Sequence, residues 1–314
     1  MPKGWLASVL LVLGVVIAAE FAVRALLAPV GPDLWTYWNV EAAPKFEWYR
    51  QQALSGKTPE VVAVGDSLAA RNFDPAAFSA AAGGVSAYNL GWPGMFPRAF
   101  QEIVPVFLET GEAPRFIILM QSTPSFIEDE RVRRNEAGIL SSIIARRQAG
   151  EAIAADYIAL SRLYLARREV VRYWLKRKAL LQRPPLDGFM PHKRPSDSLP
   201  IDPDKETMPT GGLDPGRLAV DTRLFDLAQR RGIHVIAVLP PLEVSHMPAY
   251  VDAYAHWLKQ QEAEYPGVLS IWDLRDTDAV TRRDFKDSMH LWGDGAARFS
   301  SALGARFAKE LSGH

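Results

Sequence analysis

Five short apolar runs mark the 314-residue chain: Val61–Gly65, Ala87–Leu90, Phe116–Met120, His234–Leu239 and Leu269–Trp272. Each is continuous rather than alternating, the pattern of a strand buried on both faces of a parallel sheet. Segments with helical periodicity lie between several of them, for example Arg98–Glu109 and Asp221–Arg231. Strands that alternate with helices predict an α/β fold, a five-stranded parallel sheet covered by helices on both sides. Near the end, Phe299, Leu303, Phe307 and Leu311 recur every fourth residue. That spacing predicts a helix over Asp294–Leu311 laying one stripe on the sheet.

The pattern changes at the N-terminus. Gly4 to Ala19 carries no charge and follows Lys3. With Glu20 to Leu27 the apolar stretch reaches about 24 residues, and roughly 20 helical residues cross a bilayer core. Residues 1–28 are therefore expected to be a transmembrane anchor, with a cleaved signal peptide as the rival reading. Glu20 and Arg24 stand one turn apart and can pair on one helix face. Lys3 and the α-amino group favour a cytoplasmic N-terminus and an extracytoplasmic body, residues 29–314. Pro29 to Leu34 break the helix. Trp35, Tyr37 and Trp38 beyond it suit an interfacial aromatic belt or a core equally.

Composition is ordinary for a globular body, 48% hydrophobic and 23% charged, and the length allows a sizeable core. The net charge of zero gives no argument for nucleic acid. Charge is unevenly placed, however. Residues 131–183 hold 13 Lys/Arg against 4 Asp/Glu, a local +9 that leaves −9 for the remainder. Two basic helices are expected there, roughly 135–149 and 151–182, followed by a Pro- and Gly-rich loop, so that an insertion spans about 128–216. It reads as a solvated helical insertion or as a surface for anionic headgroups or a polyanionic glycan. Cysteine is absent, which removes disulfides, thiolate nucleophiles and cysteine metal sites. No His pair sits at ligand spacing and no glycine loop suits a phosphate; no metal or cofactor is expected.

The first apolar run ends on Gly65-Asp66-Ser67. The carboxyl ends of parallel strands face the ligand crevice, and a serine at a helix N-terminus has N–H groups and a dipole suited to an oxyanion. The plainer reading is that Asp66 or Ser67 caps the helix that follows. A serine nucleophile needs a base. Of six histidines, His290 differs in lying three residues after Asp287, just before the last predicted helix. At that spacing the carboxylate can hold Nδ1–H and aim Nε2 outward.

Gly65-Asp66-Ser67 and Asp287-Ser288-Met289-His290-Leu291 together resemble the first and last blocks of the SGNH (GDSL-type) hydrolase superfamily. That resemblance implies a three-layer, flavodoxin-like fold and a catalytic set of Ser67, Asp287 and His290. Asn89 followed by Gly94 resembles the second block and implies Gly94 N–H as an oxyanion donor; both Gly91 and Gly94 also permit a tight turn. The third block departs from the family. No asparagine stands in Gln121-Ser122-Thr123-Pro124, so Thr123 is the implied third donor beside Ser67 and Gly94, with Ser122 and Gln121 as substitutes. The anchor and the Asn72-Phe73-Asp74-Pro75 element are similar to the membrane-anchored branch that acylates teichoic acids, alginate and other exopolysaccharides. The branch implies a serine O-acyltransferase or esterase at the bacterial inner membrane. Its body would face the periplasm, act on cell-envelope polysaccharide and work beside a multi-spanning O-acyltransferase. A free-standing esterase or lipase, and a non-catalytic scaffold of the same fold, are the competing readings.

Overall fold

The computed structural model describes residues 3–27, 42–94, 97–128, 187–204, 208 and 211–311. The two predicted basic helices, the Pro29–Leu34 break and Trp35, Tyr37 and Trp38 lie outside the described residues. The chain divides into two units: Met1–Glu47 with Gly138–Arg183, and Trp48–Ala137 with Pro184–His314.

In the first unit, α1 runs Lys3–Leu27 as one continuous helix. Its described large side chains are exposed although apolar, from Ile17 at 47% to Leu11 at 70%. Among the residues whose side chains are described, no helix is long and apolar enough to cross a membrane. In α1 those side chains are Ser8, Leu10–Ala19, Phe21 and Ala22.

The second unit holds the sheet. Its strands are β1 (Val61–Gly65), β2 (Ala87–Asn89), β3 (Phe116–Met120), β4 (His234–Leu239) and β5 (Leu269–Asp273). They lie in the order β2-β1-β3-β4-β5, every pair parallel. The predicted strands are all present, with β2 one residue shorter and β5 one longer than expected. β1, β3 and β4 are buried almost throughout, as continuous apolar runs require.

The helices are α2 (Ala42–Leu54), which begins in the first unit, α3 (Ser67–Asn72), α4 (Pro75–Ala81), α5 (Pro97–Glu109), α6 (Pro215–Arg231), α7 (Ala249–Glu264) and α8 (Gly293–Leu311). One sheet face presents Val61, Ala63, Ile118, Met120, Ile236 and Trp272 to Phe73, Phe78, Phe299, Leu303 and Phe307 of α3, α4 and α8 and their flanks. The stripe predicted for the last helix is this contact. On the opposite face, α5 and α6 pack on each other and α6 on β4. α7 packs on β5.

β1 is flanked by β2 on one side and β3 on the other. The connections leaving β1 and β3 therefore diverge, and a crevice opens at their carboxyl ends. Gly65 ends β1 at φ +143°. A Cβ there would stand 1.8 Å from the Met120 carbonyl oxygen of β3, so only glycine lets the chain turn into α3 at this edge.

Candidate active site

The turn from β1 into α3 separates two roles that the sequence left entangled. Asp66 is the cap, its Oδ1 accepting from Leu68 N–H at 2.9 Å. Ser67 is the first helical residue, and its Oγ lies 2.8 Å from His290 Nε2. Nδ1 of the same ring lies 2.8 Å from Asp287 Oδ1 and 3.0 Å from Oδ2. The three side chains thus form one continuous relay across 223 residues of sequence.

Asp287 and His290 sit on a bend, not on a helical turn. Asp287 Oδ1 also accepts from Met289 N–H at 3.1 Å and His290 N–H at 2.9 Å, a local side-chain-to-backbone turn that fixes the spacing. Burial alone would raise the Asp287 pKa. Hydrogen bonding and charge from His290, with the two backbone N–H groups, overcome it and hold the group at about 2. Asp287 is therefore an anion at any ordinary pH, ready to stabilise an imidazolium.

Asn72 closes the site from the other side. Fully buried at the end of α3, it donates from Nδ2 to Met289 O at 2.9 Å and accepts from Leu291 N–H at 2.9 Å. These bonds grip the residues on either side of His290. Ser300 of α8 donates to Asn72 O at 3.2 Å and accepts from Asp74 N–H at 2.8 Å, so α3, α4, α8 and the His290 loop share one polar joint. Asn89 repeats the device on the β2 side. Its Nδ2 donates to Ala69 O and Phe73 O, and its Oδ1 accepts from Gly91 N–H. Gly91 is required by close approach, since a Cβ would lie 2.4 Å from Ala70 N.

The oxyanion candidates fare differently. Gly94 takes a left-handed φ of +81° on the turn after β2, at the same sheet edge. Among the described residues no hydrogen bond ties it to Ser67 or His290. Thr123 is buried and lines a small open pocket with Leu68 and Met289, the neighbours of Ser67 and His290. The two substitutes are otherwise engaged. Ser122 donates its hydroxyl to Asp66 Oδ2 through a short bond, its N–H to the same oxygen at 2.8 Å, and contacts Ser125 Oγ at 2.8 Å. Gln121, its amide nitrogen facing Asp221, donates to both carboxylate oxygens at 3.0 and 3.1 Å. Of the third block only Thr123 keeps its hydroxyl for a ligand.

Two further features escaped sequence reasoning. The first is the clamping role of Asn72, which the sequence offered only as part of Asn72-Phe73-Asp74-Pro75; its partners Met289 and Leu291 are remote. The second is His192, expected only as a loop residue. Its ring centroid lies 5.8 Å from that of His290.

No protein-family model matches the chain, and none of the curated proteins does. Solved structures similar to it include a G-D-S-L family protein described as lipolytic from Desulfitobacterium hafniense DCB-2. It is 12% identical over 79% of this chain and 98% of that one, with a TM-score of 0.42. Another, described as a platelet activating factor from Streptococcus pneumonia, is 14% identical over 84% of this chain and 91% of that one, with a TM-score of 0.41. Likeness of that degree is too slight to argue from, and function rests on the geometry of the site.

Proposed function

We propose that this chain is a serine acyl-transfer enzyme of the SGNH type, an O-acyltransferase or esterase acting on ester groups of cell-envelope polysaccharide. One observation carries the reading: Ser67, His290 and Asp287 in an unbroken hydrogen-bonded relay at the switch point of a parallel sheet. The buried Asn72 joint supports it, because bonds on both sides of one histidine hold the ring to a fixed position.

The chemistry follows from the positions. His290 Nε2 takes the Ser67 hydroxyl proton while Oγ bonds to the ester carbonyl carbon. The developing oxyanion is met by the backbone N–H of Ser67 at the start of α3 and of Gly94, with the Thr123 hydroxyl as third donor. His290 returns its proton to the departing alcohol oxygen as that bond breaks. Water or a sugar hydroxyl then takes the acyl group from Ser67 by the reverse sequence. Asp287 holds the imidazolium throughout.

The same reading places the enzyme at the bacterial inner membrane, anchored by α1, with its body in the periplasm beside a multi-spanning O-acyltransferase. Its support is α1 itself. Its run from Gly4 to Ala19 is uncharged and follows Lys3, and its large exposed side chains are leucine, valine, isoleucine and phenylalanine. Recovery in a carbonate-washed membrane fraction, released only by detergent, is the expected behaviour.

A fluorophosphonate probe tests the chemistry. It is expected to add covalent mass at Ser67 of the native protein and none to Ser67→Ala. Native protein that stays unlabelled would remove the enzyme and leave the non-catalytic scaffold.

A further inference from the structure

An oxyanion donor must be held within about 0.5 Å of its working place, and Thr123 has little local means to stay there. It stands just past the end of β3, in Gln121-Ser122-Thr123-Pro124-Ser125, and opens a single 3₁₀ turn over Thr123–Phe126. That turn closes with Ser125 N–H donating to Ser122 O at 2.9 Å. So short a piece has poor hydrogen-bond geometry and little stiffness. Thr123 is buried, and among the described residues no partner takes its hydroxyl. It lines a pocket with Leu68 and Met289, so the restraint on it has to come from outside the turn.

That restraint is the residue ahead of the nucleophile. β1 and β3 pair in register as far as Gly65 and Met120. One residue on, the buried Asp66 continues the connection with its side chain. Oδ1 accepts from Leu68 N–H at 2.9 Å and caps α3. Oδ2 accepts from Ser122 N–H at 2.8 Å and, through a short bond, from the Ser122 hydroxyl. Ser125 Oγ stands 3.3 Å from the same oxygen and 2.8 Å from Ser122 Oγ. Arg217 of α6, itself buried, donates from Nη1 to Ser125 O at 3.1 Å. Both shoulders of Thr123 are thus tied to one carboxylate, and that carboxylate is tied to the first turn of the helix that carries Ser67.

A cap alone does not require this. Asparagine, serine or threonine caps a helix with one neutral oxygen. A carboxylate costs more to bury, and burial does push the Asp66 pKa up, against the bonds from Ser122 and Leu68 and the charge of His290. What the carboxylate adds is a second acceptor. An asparagine holding the same cap would turn its amide NH₂ toward Ser122 N–H, two donors face to face. We propose that Asp66 is a positioning residue of the oxyanion hole: acting through Ser122 and Ser125, it sets the Thr123 hydroxyl at its distance from the Ser67 N–H. A threonine thereby serves where the third block lacks an asparagine. This rests on the acyl-transfer reading and goes beyond it, giving the hole a part that touches no substrate atom.

Turnover of p-nitrophenyl acetate by the full chain in detergent tests this as a double-mutant cycle. Thr123→Val removes the hydroxyl and is expected to lower kcat about a hundredfold while KM moves less than about twofold. Asp66→Asn keeps the cap and loses the second acceptor; its kcat is expected to fall about fiftyfold, again with little change in KM. Adding Thr123→Val to Asp66→Asn should then cost less than about threefold, because the hydroxyl is already out of place. Ser122→Ala repeats the cycle with the carboxylate intact: about tenfold alone, with Thr123→Val worth about tenfold on top of it. A denaturant melt accompanies each variant, so that a loss of folded protein is not read as a loss of kcat. A role confined to structure leaves Thr123→Val worth its full effect, about a hundredfold, in both backgrounds, and that additivity would overturn the proposal. So would native turnover in Thr123→Val, which leaves acyl transfer standing on its two backbone donors. Fluorophosphonate labelling of the native protein reads the parent proposal separately: native protein that is neither labelled nor active removes the acyl transfer, and the role of Asp66 with it.

Discussion

Asp287 and Asp221 are the same side chain in two surroundings, and they titrate at opposite ends of the carboxylate range. Burial raises both. At Asp287 the His290 ring and two backbone N–H groups overcome it, and the group settles at about 2. Asp221 lies on α6 with no exposure and has only neutral side-chain donors, the Tyr254 hydroxyl at 2.9 Å and the Gln121 amide. There burial prevails and the pKa rises to about 7. Seclusion therefore does not by itself decide protonation; the number of donors and the presence of a group able to become cationic do. One carboxylate serves as a fixed charge for the relay. The other ties β3, α6 and α7 together while keeping a proton close to neutrality.

The largest test of this division is activity. Asp287→Asn is expected to lower kcat/KM on a short p-nitrophenyl ester by about 10⁴-fold, as loss of the orienting acid does in serine triads. Asp221→Asn should change it less than about threefold. Comparable losses in both variants would break the distinction. Next in size is Asn72→Ala, which strands Met289 O and Leu291 N–H. Turnover is expected to fall about a hundredfold and stability by about 1–3 kcal/mol, read from steady-state rates alongside a denaturant melt.

The pH dependence of stability should separate the two acids by sign. Asp287 is depressed below its ordinary 3.8, so its contribution is present above about 4 and is lost as pH falls toward 2. Asp221 is raised from 3.8 to about 7. Between those values the folded state keeps a proton that the unfolded state has released, so stability falls as pH rises. Urea midpoints from pH 4 to 8 should lose that downward slope in Asp221→Asn, where Gln121 can turn its amide to suit. The smallest effect is expected of Tyr254→Phe. It removes one donor to Asp221, pushes that pKa higher still, and costs about 1 kcal/mol at pH 8.

The strands were legible because all five are short runs whose neighbours are polar or Gly- and Pro-rich. The last helix was legible because Phe299, Leu303 and Phe307 meet the sheet on one stripe. The start of α6 was not. Asp214-Pro215-Gly216 looks like a turn, yet Asp214 accepts from Gly216 N–H as a cap and Pro215 opens the helix, a start signal hidden by the glycine. In the site, Ser67, Asp287 and His290 could be paired by spacing and chain position. Asn72 could not, because its partners lie 217 and 219 residues away. The third block misled in part: Gln121 and Ser122 have donors, but Asp221 and Asp66 beneath the crevice claim them. Letters name the available groups; topology decides which neighbour takes them.

The Asn72 joint also bears on the order of assembly. Hydrogen bonds that enclose more than two hundred residues are among the last to form, because the loop they close must first surrender its freedom. The serine then stays inert until the C-terminal segment has docked, and a chain clipped ahead of Asp287 would carry the nucleophile without its base. Reactivity at position 67 is accordingly a readout of completed folding, a property that lets one covalent probe count finished molecules in a mixed population.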